Sequence, residues 1–410
     1  MSLLILLAVV LLIAFRQTAG LRIAIWQIML LGAVGMLITG EVALVDALHS
    51  VDVGIMVFLF CMFVVGAALE ESGLLVRMSG AVLGRFGTGP CFILALVFAA
   101  GIGSAILMND TLAVIGTPLV LGYARMTGAS PKVLLLALAF SVTTGSVTSP
   151  IGNPQNLLVA TAGGFSDPVV TFFIALAPPT AIALLLVCVF LLLIDPALLH
   201  LRIDRTISEV SVADPGLSRL ACLSLIVIAV LIAATVLLSL GGGTGIPLPA
   251  IAMVAAFPLL LFSSRRLDLL RQVDWPTLIF FAAMFVVMEG VRESGAVAGI
   301  FQDIGPAAIG IPAIIALGIV LSQFVSNVPF VALALPILVD AGVGEAEMLA
   351  LAAGSTIAGN LTVIGAASNV IIVQGAERRG VNLGFFAFMK VGLPLTLMQA
   401  TVYIAWLALL

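Results

Sequence analysis

Residues 104–118, SAILMNDTLAVIGTP, and residues 322–336, SQFVSNVPFVALALP, decide the fold of this 410-residue chain. In each, an apolar run is interrupted by a polar tip: Asn109–Asp110–Thr111 in the first, Ser326–Asn327 in the second. Laid over one another, they bring Asn109 onto Asn327 and Pro118 onto Pro336. Their surroundings repeat as well. FVVGAALEESG from Phe63 matches FVVMEGVRESG from Phe285, and the same register pairs Asp52 with Asp274. GSVTSPIGNPQN from Gly145 matches GNLTVIGAASN from Gly359, where a single gap brings Asn156 to Asn369. Chance likeness is common in apolar sequence, but polar residues recurring in register at three successive places are not. The chain is a tandem of two related halves.

Composition fixes the solvent of those halves. Hydrophobic residues make up 62% and charged residues 9%, and the mean hydropathy is +1.33. A soluble domain is about 25% charged and 45–50% apolar. So little charge cannot cover a water-facing surface of this size, so the chain is an integral membrane protein with lipid as its surrounding partner. The 40 glycines and 19 prolines agree, since both are commoner in membrane helices than in soluble ones. Long unbroken apolar runs point to helices and not to the alternating strands of a barrel. No basic block exists, so a nucleic-acid partner is not expected. Cys61, Cys91, Cys188 and Cys222 stand singly in apolar runs, without the paired spacing of a zinc site or a disulfide framework, and read as small buried hydrophobes. Residues 2–15 are apolar, but charge follows them at Arg16 and does not precede them. That order is the reverse of a signal peptide, and it predicts a retained short span.

A helix needs about 20 apolar residues to cross a bilayer. Spans are predicted near 2–15, 23–39, 53–69, 133–166, 169–194, 219–240, 249–263, 275–290, 345–374 and 385–409. Segments 90–121 and 306–339, polar at their centres, read as re-entrant hairpins, because irregular backbone at membrane depth is tolerated only against protein or a water-filled cavity. Arg16, Arg22, Arg77, Arg85, Arg125, Lys132, Arg202, Arg205, Arg219, Arg265, Arg266, Arg271, Arg378 and Arg379 fall on one side of this layout. Glu41, Asp46, Asp52, Asp167, Asp303 and Asp340 fall on the other, with Arg292 the basic exception. The basic side is predicted cytoplasmic, with both termini outside, as in an inner or plasma membrane. Residues 195–218 form a cytoplasmic linker between the first repeat (1–194, hairpin 90–121, broken helix 133–166) and the second (219–410, hairpin 306–339, broken helix 345–374). Each half has five spans, an odd number, so the second enters the membrane upside down. The expected fold is an all-α polytopic membrane protein, an inverted-topology repeat of about 5+5 transmembrane helices, an architecture of secondary transporters.

The candidate site follows from the interruptions. Besides the two hairpin tips, spans 133–166 and 345–374 are broken by Gly, Pro, Ser, Thr and Asn. Residues expected to bind substrate or ion are Asn109, Thr111, Ser146, Thr148, Gly152, Asn153 and Asn156 in the first half. In the second they are Ser326, Asn327, Gly359, Asn360, Thr362, Gly365, Ser368 and Asn369. Such groups left unsatisfied in lipid would cost several kcal/mol each. They therefore face one another or a solvated cavity, and pairing tip with broken helix inside each half predicts two related sites. A broken helix offers N–H groups to an anion and carbonyls to a cation. No Lys or Arg lies at these four places, so the solute is neutral, or an anion held by dipoles and amides.

Asp110 is the one carboxylate at mid-membrane, and its repeat partner is Val328. An intramembrane ionisable group marks function. Proton or ion coupling is expected there, beside the plainer role of a carboxylate at a helix start. Glu70 and Glu289 read as interfacial, and Asp52 and Asp274 as N-caps. Gly241–Gly245 lacks the Lys of a phosphate cradle. His49 and His200, the only histidines, lie at predicted helix ends, and no HExxH occurs, so no catalytic residue and no bound metal or cofactor is expected. The coupling ion, H+ or transiently bound Na+, is the only ion implied.

LMNDTLAVIGTP, SPIGNPQNLLVA and SNVPF, which together draw on both halves, resemble the ArsB/NhaD ion transporter superfamily, and most closely its branch of arsenite exporters and plant silicon efflux transporters. The wider clan contains divalent anion/sodium symporters, whose tips carry Ser-Asn-Thr. Asn109, Thr111, Ser326 and Asn327 keep part of that pattern, and Asp110 departs from it. The resemblance implies two oppositely lying hairpins, two discontinuous helices and, in the symporter branch, homodimers. It also implies transport of a small inorganic or organic solute, the members moving arsenite, silicic acid, Na+ against H+, carboxylates or sulfate. The expectation is proton-coupled efflux of a small weak acid or oxyanion, with a Na+- or H+-coupled anion symporter or a Na+/H+ antiporter as alternatives. The first two spans of each half would form the static scaffold of an elevator.

Overall fold

The computed structural model describes residues 1–15, 23–74, 86–202, 214–240, 245–294 and 310–410. The expectations that concern Arg16, Arg22, Arg77, Arg85, Arg205, Asp303 and residues 241–244 lie outside them.

The first half runs α1 (Ser2–Phe15), α2 (Ile25–Ile38), the short α3 (Leu44–Ser50), α4 (Val53–Ser72), α5 (Gly89–Ile106), α6 (Asn109–Thr127), α7 (Pro131–Gly145), α8 (Pro154–Ala162), α9 (Pro168–Ile194) and the single turn α10 (Ala197–His200). The second runs α11 (Pro215–Leu240), α12 (Leu248–Phe262), the short α13 (Arg266–Gln272), α14 (Trp275–Glu293), α15 (Ile311–Val325), α16 (Asn327–Asp340), α17 (Glu345–Ile357), α18 (Ala367–Glu377) and α19 (Phe385–Leu407). Leaving α10 aside, the order of long, short and broken helices is the same in both. Among the described residues, seven helical segments are long and apolar enough to cross a membrane. Segment 90–121, expected as a hairpin, is a helix pair whose first member has 18 residues, about 27 Å at 1.5 Å per residue. The second member continues to Thr127.

Local chemistry sets the ends of these helices. The Ile55 N–H donates to Asp52 Oδ1 at 2.9 Å, and the Thr277 N–H donates to Asp274 Oδ1 at 3.2 Å. Both aspartates are therefore N-caps, as the repeat suggested. At the N-terminus, the Ser2 N–H donates to Glu41 Oε2 at 3.0 Å. With the terminal ammonium 3.5 Å away, that bond holds the Glu41 carboxyl below its ordinary range. Cys61 and Cys188 are buried free thiols, whereas Cys91 and Cys222 are exposed. In a membrane protein an exposed apolar position faces lipid, so the burial expected of all four holds for two.

The halves exchange partners. α2 packs on α14 in parallel, with Gly32 against Val287 and Gly290 against Met36 and Val42. α12 packs on α4, also in parallel: Pro249 lies beside Gly54, and Arg265 pairs with Glu71 at 2.7 Å. These exchanged pairs build a stem in which α4 and α14 stand beside α12 and α2. A second core joins α5, α6, α7 and α9 to α18 and α19, with Phe140 meeting Phe388 edge-on at 4.9 Å between centroids. Where α4 touches the tip helix α6, a Cβ on Gly66 would stand 2.8 Å from Thr111 Oγ1. With threonine at 111, glycine at 66 leaves room for that approach.

Candidate functional site

The first tip is the break at Leu107–Met108, after which α6 starts at Asn109. It is tied to the broken helix of its own half. The Asn109 N–H donates to the Gly152 carbonyl at 2.9 Å, and Ser104 Oγ donates to the Val142 carbonyl at 2.5 Å. The second tip is tied likewise through Gln323. Its Nε2 donates to the Ala358 carbonyl at 2.8 Å, and its Oε1 accepts from Thr362 Oγ1 at 2.8 Å. At Ser326 the backbone takes φ 73°, the only positive φ outside glycine among the described residues.

Each broken helix is interrupted by 3-10 turns: Ser146–Thr148 between α7 and α8, and Ala358–Asn360 and Val363–Gly365 between α17 and α18. Small residues are required there. A Cβ on Gly145 would lie 2.2 Å from the Gly101 carbonyl oxygen, and one on Gly152 would lie 2.5 Å from that of Ser146. Asn153 caps α8, its Oδ1 accepting from the Asn156 N–H at 2.8 Å, and its Nδ2 donates to Ser146 Oγ at 3.0 Å. Asn156 Nδ2 donates to the carbonyls of Ser146, Val147 and Ser149. Thr148 is buried in the same turn.

The two breaks also bind each other. Asn153 Nδ2 donates to Thr356 Oγ1 at 3.2 Å, and Thr356 Oγ1 donates to Asn156 Oδ1 at 3.1 Å. Asn360 Nδ2 reaches Thr144 Oγ1 at 2.9 Å and Gln399 Oε1 at 2.8 Å. Asn369 Nδ2 donates to the carbonyls of Gly359 and Thr362, while Gly365 packs on the Ala358 carbonyl.

Both tips and both breaks border one cavity of about 290 Å³. The expected pairing within each half is present, but the two sites merge because the breaks are bonded back to back. Asn109, Asp110, Ser326, Asn327 and Val328 line the cavity from the tips, and Pro154, Gln155, Ala366 and Ala367 line it from the breaks. Trp26 of α2 and Pro276, Thr277, Phe280 and Phe281 of α14 close it on the stem side. Thr111 turns away toward Gly66. The other candidates, from Ser146 to Asn156 and from Gly359 to Asn369, stand behind the lining. Sequence reasoning missed Gln155, Thr356, Gln323 and Gln399. All four are polar residues within apolar helices, and that was the available signal.

The cavity has a definite electrostatic character. The first residues of α6, α8, α16 and α18 line it, so four positive helix ends meet there. α8 is capped by Asn153, but α6, α16 and α18 carry no side-chain cap. Asp110 sits in the first turn of α6. Asn109 is 6% exposed and Asn327 is 5% exposed, yet the Oδ1 of each has no hydrogen-bond partner. Buried acceptors of this kind are expensive unless something donates to them. No Lys or Arg is among the lining residues, and no cluster of His, Cys, Asp and Glu suited to a metal occurs among the described residues.

Comparison with known proteins gives the family. The family model described as "Citrate transporter" matches residues 9–352. The chain belongs to the citrate transporter family. It is a multi-pass membrane transporter of small solutes and not an enzyme. Within reach of this family is the uncharacterized transporter Rv2685 of Mycobacterium tuberculosis, 28% identical over 426 residues that cover 96% of each protein. The silicon efflux transporter LSI3 of Oryza sativa subsp. japonica is 26% identical, covering 91% of this chain and 90% of that protein. The YdaH transporter of Alcanivorax borkumensis shares the fold at a TM-score of 0.62 and 18% identity, over 100% of this chain and 97% of the other. MtrF of Neisseria gonorrhoeae shares it at 0.55 and 16%, over 100% and 94%.

Proposed function

We propose that this member of the citrate transporter family is a secondary active transporter exporting a small weak acid or oxyanion, arsenite- or silicate-like, with protons coupled at Asp110. The observation that carries the reading is the pair of unpartnered buried amide oxygens, Asn109 Oδ1 and Asn327 Oδ1, on one cavity with Asp110. A neutral hydroxy acid donates O–H groups to both amides, and its oxygens accept from the open N-termini of α6, α16 and α18. Such a solute needs no Lys or Arg, and none lines the cavity. The similar Oryza sativa protein is named a silicon efflux transporter, which supports this reading.

Alternating access in an inverted repeat fits the packing. α4 and α14 are repeat partners. α14 runs parallel to α2, whose C-terminal end leads through α3 into α4, so α14 and α4 point in opposite directions. The cavity is bordered by the starts of α2 and α14, next to the face that carries Arg265, Arg266 and Arg271, and in this reading it opens there. By the excess of positive charge that face is cytoplasmic, and Met1, bound to Glu41, is outside. In an elevator the tips and broken helices move as one body against α1–α4 and α11–α14.

A second reading, cotransport of an organic anion with H+ or Na+, is favoured by the four helix N-termini at the cavity and by the family's citrate name. Purified protein in liposomes holding a pH-sensitive dye separates the two. Gradients of arsenite, silicic acid, a dicarboxylate and Na+ are imposed in turn. A proton flux set off by a metalloid acid, and lost in Asp110→Asn with an unchanged melting temperature, is the expected result. Wild-type flux in that variant removes the proton role of Asp110. Asn109→Ala and Asn327→Ala should each raise the half-saturating solute concentration about tenfold, the equivalent of about 1.4 kcal/mol.

A further inference from the structure

The stem wall of the cavity has a hidden twin. On the open face the wall is made by Thr277, Phe280 and Phe281 of α14 with Trp26 of α2. The register that pairs Asp52 with Asp274 carries Thr277 onto Ile55, Phe280 onto Phe58 and Phe281 onto Leu59. The same register carries Trp26 onto Leu248, beside Pro249 at the start of α12. The twin set is also assembled in space, since Pro249 lies against Gly54 at the start of α4. It differs in state. Phe280 and Phe281 are as buried as Phe58 and Leu59 and share the main core with them, but with Thr277 they line the cavity, whereas Ile55, Phe58 and Leu59 are not among its lining residues.

We infer that Ile55, Phe58 and Leu59, with Pro249, form a second solute-facing wall on the opposite side of the membrane, buried in the present state. The inference rests on the alternating-access reading above and adds which residues the solute meets after the switch. The two walls differ chemically. The open one holds the Thr277 hydroxyl, which donates to Asp274 Oδ2 at 2.6 Å and keeps its lone pairs for a solute O–H. The closed one has no polar side chain at all. A hydroxylated solute therefore loses a stem contact on crossing and is held more weakly on the face of Glu41, which favours its release there.

Thiol labelling tests this. Cys61, Cys91, Cys188 and Cys222 are first replaced by serine. Phe58→Cys, Ile55→Cys or Thr277→Cys is then added singly, and only variants that retain dye-reported proton flux are scored. A membrane-impermeant maleimide is applied with and without an imposed pH gradient. Without the gradient Thr277→Cys should react at least tenfold faster than Phe58→Cys and Ile55→Cys. With it, the α4 positions should gain reactivity as Thr277→Cys loses it. If Thr277→Cys becomes protected while neither α4 position opens, the second wall is wrongly assigned and alternating access survives. If no position responds while flux persists, alternating access itself fails. A further variant, Gly66→Cys with Thr111→Cys, pins α6 to α4. A Cβ at 66 lies 3.6 Å from that of Thr111, within the span of a disulfide. Oxidation should abolish the gradient-induced labelling at position 58 and reduction should restore it. Labelling that persists through oxidation overturns the inference.

Discussion

The two broken helices descend from one pattern, but the first is closed on itself and the second is left open. In the first, Asn153 caps α8, Asn156 spans three carbonyls and accepts from Thr356, and Ser104 Oγ is bonded to Val142. In the second, the capping position is Ala366, which offers no side-chain bond. Ser322 Oγ, Ser368 Oγ and Asn369 Oδ1 are buried without partners. The tips diverge in the same sense. Met108 has an ordinary φ of −61°, while Ser326 is held at 73°, a region that strains a residue with a Cβ by about 1–3 kcal/mol. The first half also owns the carboxylate, Asp110 against Val328. If the two halves are repeats, as the sequence suggests, one frame has been used twice with different bonding. The first break is the more fully bonded, and more of the unpartnered buried oxygens lie in and behind the second.

The largest effect should separate the two asparagines that the repeat aligns. Asn156→Ala strips the donor from three carbonyls and the acceptor from Thr356 in a fully buried place. With about 1–3 kcal/mol lost for each buried group left unsatisfied, the loss is on the order of 3 kcal/mol or more. It should appear as a clear fall in melting temperature in detergent. Asn369→Ala removes a bond to Gly359 and a long one, 3.5 Å, to Thr362, so it should melt closer to wild type. Its damage should appear in transport, because the break that brings Ala366 and Ala367 to the cavity is loosened. Equal melting losses with equal residual transport would erase the proposed division between the halves.

Ala366→Asn tests the comparison from the other side by giving the second break the cap of the first. The backbone at Ala366 is already extended, φ −145° and ψ 144°, so an asparagine can accept from the start of α18. A cap adds about 0.5–1 kcal/mol. The melting temperature should rise modestly while transport falls, since the open helix end facing the cavity is then occupied. A more stable variant that transports at the wild-type rate would show that α18 does not hold the solute through its N-terminus.

How much of this was readable in advance follows from the range of each interaction. The two N-caps, Asp52 and Asp274, act over three residues and were recognised as caps. The tips and breaks stood out because Asn, Ser and Thr are conspicuous in a chain that is 62% hydrophobic. The merging of two sites into one cavity was not readable. It depends on Thr356 meeting Asn153 and Asn156, and on Asn360 meeting Thr144, across some 200 residues of sequence. Thr111 looked like a ligand by its place in the tip, and only the Gly66 contact shows that it faces the stem. Phe280 and Phe281 were invisible for another reason. In an apolar helix, a ring that lines a cavity and a ring that faces lipid leave the same mark in the sequence.

The smallest effect concerns the far ends of the exchanged pairs. α12 and α4 finish in an ion pair: Arg265 with Glu71, joined by Gln272 Nε2 donating to Glu71 Oε1 at 2.6 Å. The Glu71 carboxylate raises the already high pKa of the Arg265 guanidinium, so Arg265 stays charged throughout the working range. α2 and α14 finish instead in apolar contact, Gly290 against Met36 and Val42. Since Arg265 and Glu71 remain 37% and 27% exposed, solvent and salt screen their attraction, and such pairs contribute about 0–1 kcal/mol. Glu71→Gln should therefore lower the melting temperature slightly at low salt and not at all at high salt. Gly290→Ala, which must displace Met36 or Val42, should act equally at both. A large, salt-independent loss in Glu71→Gln would mean that the pair is a structural hinge between the halves, and the two ends would then have to be regarded as alike.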